Sequence, residues 1–126
     1  MINVTFLDML NANGVLHKLQ HETLPGKQAL IVARLIREVQ RELETYDVVR
    51  MEIIDKYALH DENGQMMIEN GNASIPEENL MECRKELEEN LSQEVNLNVT
   101  PIEEDWLDAI QLSVDEALGI EPFIKK

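Results

Sequence analysis

The sequence predicts an α+β fold, mainly helical, with a long central helix in antiparallel helical packing and a small β-sheet. Three observations predict it. Between Gly26 and Leu59, apolar residues recur at Ala29, Val32, Ile36, Val39, Leu43, Tyr46, Ile53 and Tyr57. Their steps of 3, 4, 3, 4, 3, 7 and 4 trace a heptad seam along one helix face. The only aromatic side chains are Phe6, Tyr46, Tyr57, Trp106 and Phe123, so the core must come from Leu, Ile, Val and Met, which helix stripes supply. Finally, Val95, Leu97 and Val99 alternate with Asn96, Asn98 and Thr100, the period of a half-buried strand.

Taken in order, a first helix is expected over 5–22, with Phe6, Met9, Leu10, Leu16 and Leu19 on its apolar side. Asn13-Gly14 predicts a kink or brief break, because Gly in a helix interior costs about 1 kcal/mol against Ala. Leu24-Pro25-Gly26 turns the chain, since the residue before Pro avoids the helical region. The long helix is expected over 26–59, roughly 50 Å at about 1.5 Å per residue. That is long beside the ~14 Å radius of gyration of a compact domain of this size, so the helix reaches across the domain or projects from it. Two Asn-Gly pairs, Asn63-Gly64 and Asn70-Gly71, predict a β excursion over 65–75. Whether Met66 and Ile68 or Met67 points inward is left open. A helix over 76–93 follows, with Pro76, Glu77 and Glu78 suited to its first turn and a stripe of Leu80, Cys83, Leu87 and Leu91 facing the long helix. A strand over 94–100 ends at Pro101 and is expected to share a sheet with the 65–75 region. Short elements fill 103–126: an acidic turn or short helix around Trp106, a second strand at 109–112, and a terminal helix. That helix opens on the capping box Ser113–Glu116 and stops at Gly119. The apolar tail 120–124 then docks on the core. The whole, 1–126, reads as a single domain.

Bulk properties narrow the classes. An apolar content of 44% opposes disorder. One cysteine, Cys83, fits a reducing compartment. The first residues lack the basic and apolar regions of a signal peptide, and no run approaches a membrane span, so a cytoplasmic protein is expected. Residues 1–50 hold six acidic and six basic side chains, whereas residues 51–126 hold nineteen and five, so the entire net charge of −14 lies in the second part. A field of that sign repels nucleic acid and anionic membranes and favours basic partners. Solubility is the plainer reading of the same charge.

Candidate chemistry is thin. His17 and His21 are spaced i, i+4 with Glu22 beside them, as in zinc sites, but no third ligand is evident and the pair reads as a solvated edge. Cys83 lies on a core stripe and reads as structural. Glu103, Glu104, Asp105 and Asp108 read as a solvated turn, and Asp61-Glu62-Asn63-Gly64 lacks the spacing of a calcium loop. Arg34, Arg37 and Arg41 flank the long helix, with Lys27 above them. Interleaved Glu38, Glu42 and Glu44, with Arg34 to Glu38 at i, i+4, make this flank a salt-bridge surface. No aromatic residues accompany it for base stacking. We assign no catalytic, cofactor-binding or metal-binding residues and no cofactor.

One residue breaks the seam. Arg50 falls between Tyr46 and Ile53, and an isolated buried charge is too costly to persist. Either it pairs with Glu86 or Glu89, or Val49 and Ile54 take over the seam and Arg50 snorkels outward. The second is preferred, because Val49 and Ile53 are themselves four apart.

The order of features resembles a known family. A weak first helix, the Leu24-Pro25 turn, a long charged helix ending in Lys56-Tyr57, the Asp61-Glu62-Asn63-Gly64 loop and an acidic helix come in that order. Glu94-Val95-Asn96-Leu97 and the closing Ile120-Glu121-Pro122-Phe123-Ile124 follow. Together they resemble a family of small uncharacterised proteins encoded by phages and prophages of Gram-positive bacteria. The resemblance brings no activity or catalytic residues. It implies a phage-derived protein made in a bacterial cytoplasm.

The expected function is therefore a non-enzymatic protein-interaction module. It would dock a host or phage protein, or a second copy of itself, through Val39, Leu43, Tyr46, Arg50, Ile53, Glu82, Glu86 and Glu89. The alternative is an acidic inhibitor that mimics nucleic acid toward a host nucleic-acid-binding protein. Neither reading involves direct binding of nucleic acid or a membrane.

Overall fold

Thr5 is where the chain turns from strand to helix. Its Oγ1 accepts from the Asp8 backbone N–H at 3.1 Å while the Asp8 carboxylate accepts from the Thr5 N–H at 2.9 Å. This reciprocal cap satisfies two otherwise orphaned donors. It separates strand β1 (Ile2–Thr5) from helix α1 (Phe6–Gln20). The structure, a computed structural model, describes all residues 1–126. It confirms a mainly helical α+β fold. Its further elements are α2 (Gly26–Tyr57), β2 (Ile68–Glu69), β3 (Asn72–Ala73), α3 (Glu77–Leu91), β4 (Glu94–Leu97) and α4 (Val114–Ile120), with short 3-10 helices at Glu104–Ala109 and Glu121–Phe123. None of the helices is long and apolar enough to cross a membrane.

Several expectations are corrected. The expected break at Asn13-Gly14 is absent: α1 runs through it, because Ala12, Val15 and Leu16 on either side are buried while Asn13 and Gly14 face out. Packing of the buried face outweighs the weak propensity. The strand at 94–97 does not pair with the 65–75 region. It pairs antiparallel with β1, Ile2 opposite Leu97 and Val4 opposite Val95. β2 and β3 form their own hairpin across Asn70-Gly71, whose φ values of +54° and +81° suit the tight hairpin turn that Asn-Gly favours. No strand forms over 109–112; Ala109 ends a 3-10 helix and extended, unpaired chain follows.

Gly119 does not stop α4 but lies within it. A Cβ there would stand 2.7 Å from the backbone carbonyl oxygen of Asn11, so its missing side chain lets α1 and α4 approach closely. The Ser113–Glu116 capping box does open α4. Beyond it, Phe123 is fully buried, and Ile102 exchanges backbone hydrogen bonds with Phe123 and Lys125, which seats the apolar tail on the core.

Contacts divide the chain, expected from its length to be a single domain, into two compact units, Met1–Leu43 with Glu94–Lys126, and Glu44–Gln93. The first holds nearly the whole core: Met9, Leu35, Val39, Leu97, Ile102, Ile120 and Phe123 are each 2% exposed or less. The second is a helical hairpin in which only Ala58, Cys83 and Asn90 are buried.

Candidate functional site

The hairpin unit is where charge and exposed apolar surface coincide. Two side-chain amides set its register. Asn79 Nδ2 donates to the Tyr57 carbonyl at 3.3 Å, and Asn90 Nδ2 donates to the Tyr46 carbonyl at 3.5 Å. Eleven residues back along α2 therefore correspond to eleven residues on along α3, which makes the helices antiparallel. Asn79 also satisfies a carbonyl at the end of α2 that helical bonding leaves open. Between these two ties, the Lys56 ammonium lies 3.0 Å from the Glu86 carboxylate.

This cluster has perturbed protonation. Glu86 is held below the usual carboxylate range by a hydrogen bond from Tyr57 and then by Lys56. Lys56 is raised above the lysine range, chiefly by its hydrogen bond to Glu86. The Tyr57 hydroxyl is raised for the same reason, its bond to Glu86 coming first and burial second. Burial, and secondly Glu86, pushes the Cys83 thiol up, so it is kept as the unreactive thiol.

At the closed end of the hairpin, the chain leaves α2 and pairs with the segment that leads into β2 and with Ser74 just after β3. Leu59 donates its N–H to the Ser74 carbonyl, and its own carbonyl accepts from Met67. His60 faces Met66 in antiparallel register. Leu59 and Met67 are thus directly opposite, and opposite residues project from the same face. Both are nearly half exposed, and Ile68, on the other face, is 59% exposed. Asp61, Glu62 and Glu69, within a few residues of them in the chain, are all exposed. Asp61 also organises its loop, its Oδ1 accepting from the N–H groups of Asn63 and Gln65. The unit as a whole carries thirteen acidic and four basic side chains.

The residues expected to form a docking seam are distributed differently. Val39 is 1% exposed and belongs to the core of the first unit. Leu43, Tyr46 and Ile53 are half-buried, so the heptad seam packs the chain itself and offers no free face. Arg50 is paired neither with Glu86 nor with Glu89. It binds Asp47, one turn back on its own helix, at 3.0 Å, with its side chain 37% exposed. Val49, Ile53 and Ile54 are half-buried around it, in keeping with the preferred snorkelling arrangement. Glu82 and Glu89 are exposed on α3, and Glu86 is taken by Lys56. The His17 and His21 rings do meet, edge to face at 4.9 Å, but no group of three or more His, Cys, Asp or Glu side chains comes together with metal-site geometry.

The sequence locates the β excursion but not its exposed apolar pair: the periodicity places Leu59 at the end of the helix, and the alternation of Met66, Met67 and Ile68 is too short to assign faces. The pair of Asn-Gly turns marks the excursion, but not that it folds back to place Met66 opposite His60. No protein-family model matches the chain, and neither a curated protein nor a solved structure does at a significant level.

Proposed function

We propose that the chain is a phage- or prophage-derived, non-enzymatic interaction module, and that it grips a basic protein partner with the closed end of its acidic hairpin. The observation that carries this reading is the exposed apolar pair Leu59 and Met67 on one face of the tip, with Ile68 exposed on the other, in a segment that also carries the exposed Asp61, Glu62 and Glu69. An apolar centre with a charged rim is the anatomy of a protein–protein contact, and the acidic rim selects a partner of opposite charge and speeds the encounter. The setting, a bacterial host cytoplasm, rests on the order of sequence motifs alone.

The second reading, mimicry of nucleic acid toward a basic groove, draws on the carboxylates from Glu77 to Glu94 and from Glu103 to Asp108 and gives no part to the apolar tip. The two separate cleanly. Capture from host lysate is compared for the wild-type chain and the triple variant Leu59→Ser, Met67→Ser, Ile68→Ser, each at low and high salt. Docking through the tip predicts loss of the captured protein in the triple variant and a modest effect of salt. Mimicry predicts the reverse, since exposed charges are screened within about 10 Å at 0.1 M. Equal recovery from both chains at both salt concentrations sinks both readings.

A further inference from the structure

A cleft in the first unit has a character opposite to that of the rest of the protein. Its volume is about 440 Å³, and its walls are Arg34, Arg37 and Glu38 of α2, Met1, and the segment Asn98–Pro101. Both walls are anchored. Leu35 and Val39 hold the opposite face of α2 in the core at 0% and 1% exposure. The Asn98–Pro101 segment is pinned at each end by Leu97 and Ile102, both 1% exposed. Pro101 restricts Thr100 to extended backbone.

The ion pairing around this cleft is unexpected. The i, i+4 bond between Arg34 and Glu38 does not form; Glu38 is bound instead by Arg41 at 3.3 Å. Arg34 and Arg37, three apart and neighbours on the helix face, are left without a carboxylate, although the chain has 25 acidic residues against 11 basic. The exposed Arg34 and Arg37 side chains line the cleft together with Asn98 and Thr100, whose amide and hydroxyl can donate hydrogen bonds. Planar guanidinium forks match phosphoryl oxygens two at a time.

We propose that this cleft binds a small phosphomonoester, with Arg34 and Arg37 holding its phosphoryl group and Thr100 and Asn98 orienting it. The volume sits toward the lower end of small-molecule sites, which suits one phosphoryl group on a compact body. Glu38 in the wall disfavours a second anionic group, so a monoester is preferred to a polyphosphate. No aromatic side chain lines the cleft to stack a base. Phosphate chemistry can come from the free ion or from an ester, and the two differ in whether the body contributes.

The test follows the arginine Nε–Hε resonances of the full chain by NMR at constant ionic strength, titrating inorganic phosphate, glycerol 3-phosphate and acetate separately. Arg34 and Arg37 are expected to shift saturably, with glycerol 3-phosphate tighter than phosphate and acetate weaker than both. Exposed Arg84 on α3 serves as the internal control. Arg34→Gln or Arg37→Gln should weaken binding about tenfold or more, as loss of a charge-assisted bond implies, with the circular dichroism unchanged. Unsaturable drift equal at Arg84 and Arg34 would overturn the site. Acetate binding as tightly as phosphate would overturn the phosphoryl class, and no gain from the ester would overturn the monoester in favour of the free ion.

Discussion

Lys56 near the end of α2 and Glu86 in the middle of α3 lie 3.0 Å apart, with Tyr57 beside Lys56 in the chain. This cluster and the two asparagine bonds are the polar ties of a hairpin with few buried residues. Its protonation therefore adds a pH dependence to the hairpin's stability. Lys56 and Tyr57 have folded pKa values above their unfolded ones. The stability they contribute is complete below the unfolded values, near 10, and is lost as pH rises through the folded ones. Glu86 is depressed, so its contribution is present above the usual carboxylate range and lost as pH falls through its folded value. Urea melts monitored in the hairpin should weaken at both extremes. Lys56→Met should flatten the alkaline limb, and an unchanged limb would remove Lys56 from the account.

A second acid-sensitive tie lies in the first unit. Glu116 closes the capping box with Ser113 and also receives Lys18 at 3.2 Å. The Ser113 backbone N–H first, then Lys18, depresses its carboxyl. Its contribution is present above the carboxylate range and lost as pH falls. Ser113→Ala should cost about 1 kcal/mol at neutral pH, the ordinary value of a lost cap. Equilibrium unfolding that shows no change would mean α4 is held by packing alone.

Gly119→Ala is predicted to destabilise by about 1–3 kcal/mol, because the added methyl meets the Asn11 carbonyl and the helices must part. In an exposed helix the same change gains about 1 kcal/mol. The sign of the change in midpoint therefore decides whether α1 and α4 are as close as the structure has them.

These sites mark what was readable in the sequence. The long helix, the acidic α3, the Ser113 cap and a strand starting at 94 followed from period and cap chemistry, which are local. That strand stops at Leu97 and does not run to Thr100 as the alternation suggested. The strand at Ile2–Thr5 was not readable, since two apolar residues before a strong helix start carry too little alternation. Gly119 carried an ordinary stop signal, and only the approach of a helix a hundred residues away gives it another role. The candidate surface fared similarly. A heptad seam says that a face is buried but not by what, and here the chain covers Val39, Tyr46 and Ile53 itself. Arg34 and Arg37 were legible as a basic flank, but which arginine Glu38 binds depended on rotamers that spacing does not determine.

Arg50→Leu should change stability by less than about 0.5 kcal/mol, the range of exposed substitutions away from special features. Its contacts are with Asp47 and the Met51 sulfur on its own helix and not with α3, so a double-mutant cycle with Glu86→Gln should show no coupling beyond about 0.5 kcal/mol. Larger coupling would place Arg50 against α3 after all.

Unequal burial predicts unequal opening. Cys83 is 2% exposed in the unit with few buried residues, so a thiol reagent reaches it only when the hairpin opens. Amides of 44–93 should exchange with solvent faster than those of α1 and β4. Cys83 labelling at the rate of global unfolding would contradict this and make the two units one cooperative body.

The central claim is that the hairpin tip is the part of the chain that meets a partner. The direct measurement is photo-crosslinking in host lysate from a reactive side chain placed at Met67, with an identical probe at exposed Lys27 as the control. The account predicts a discrete conjugate with a basic protein from position 67, absent from position 27 and lost when Leu59 and Ile68 are changed to Ser. Conjugates that are the same from both positions, or that persist after those changes, would contradict it.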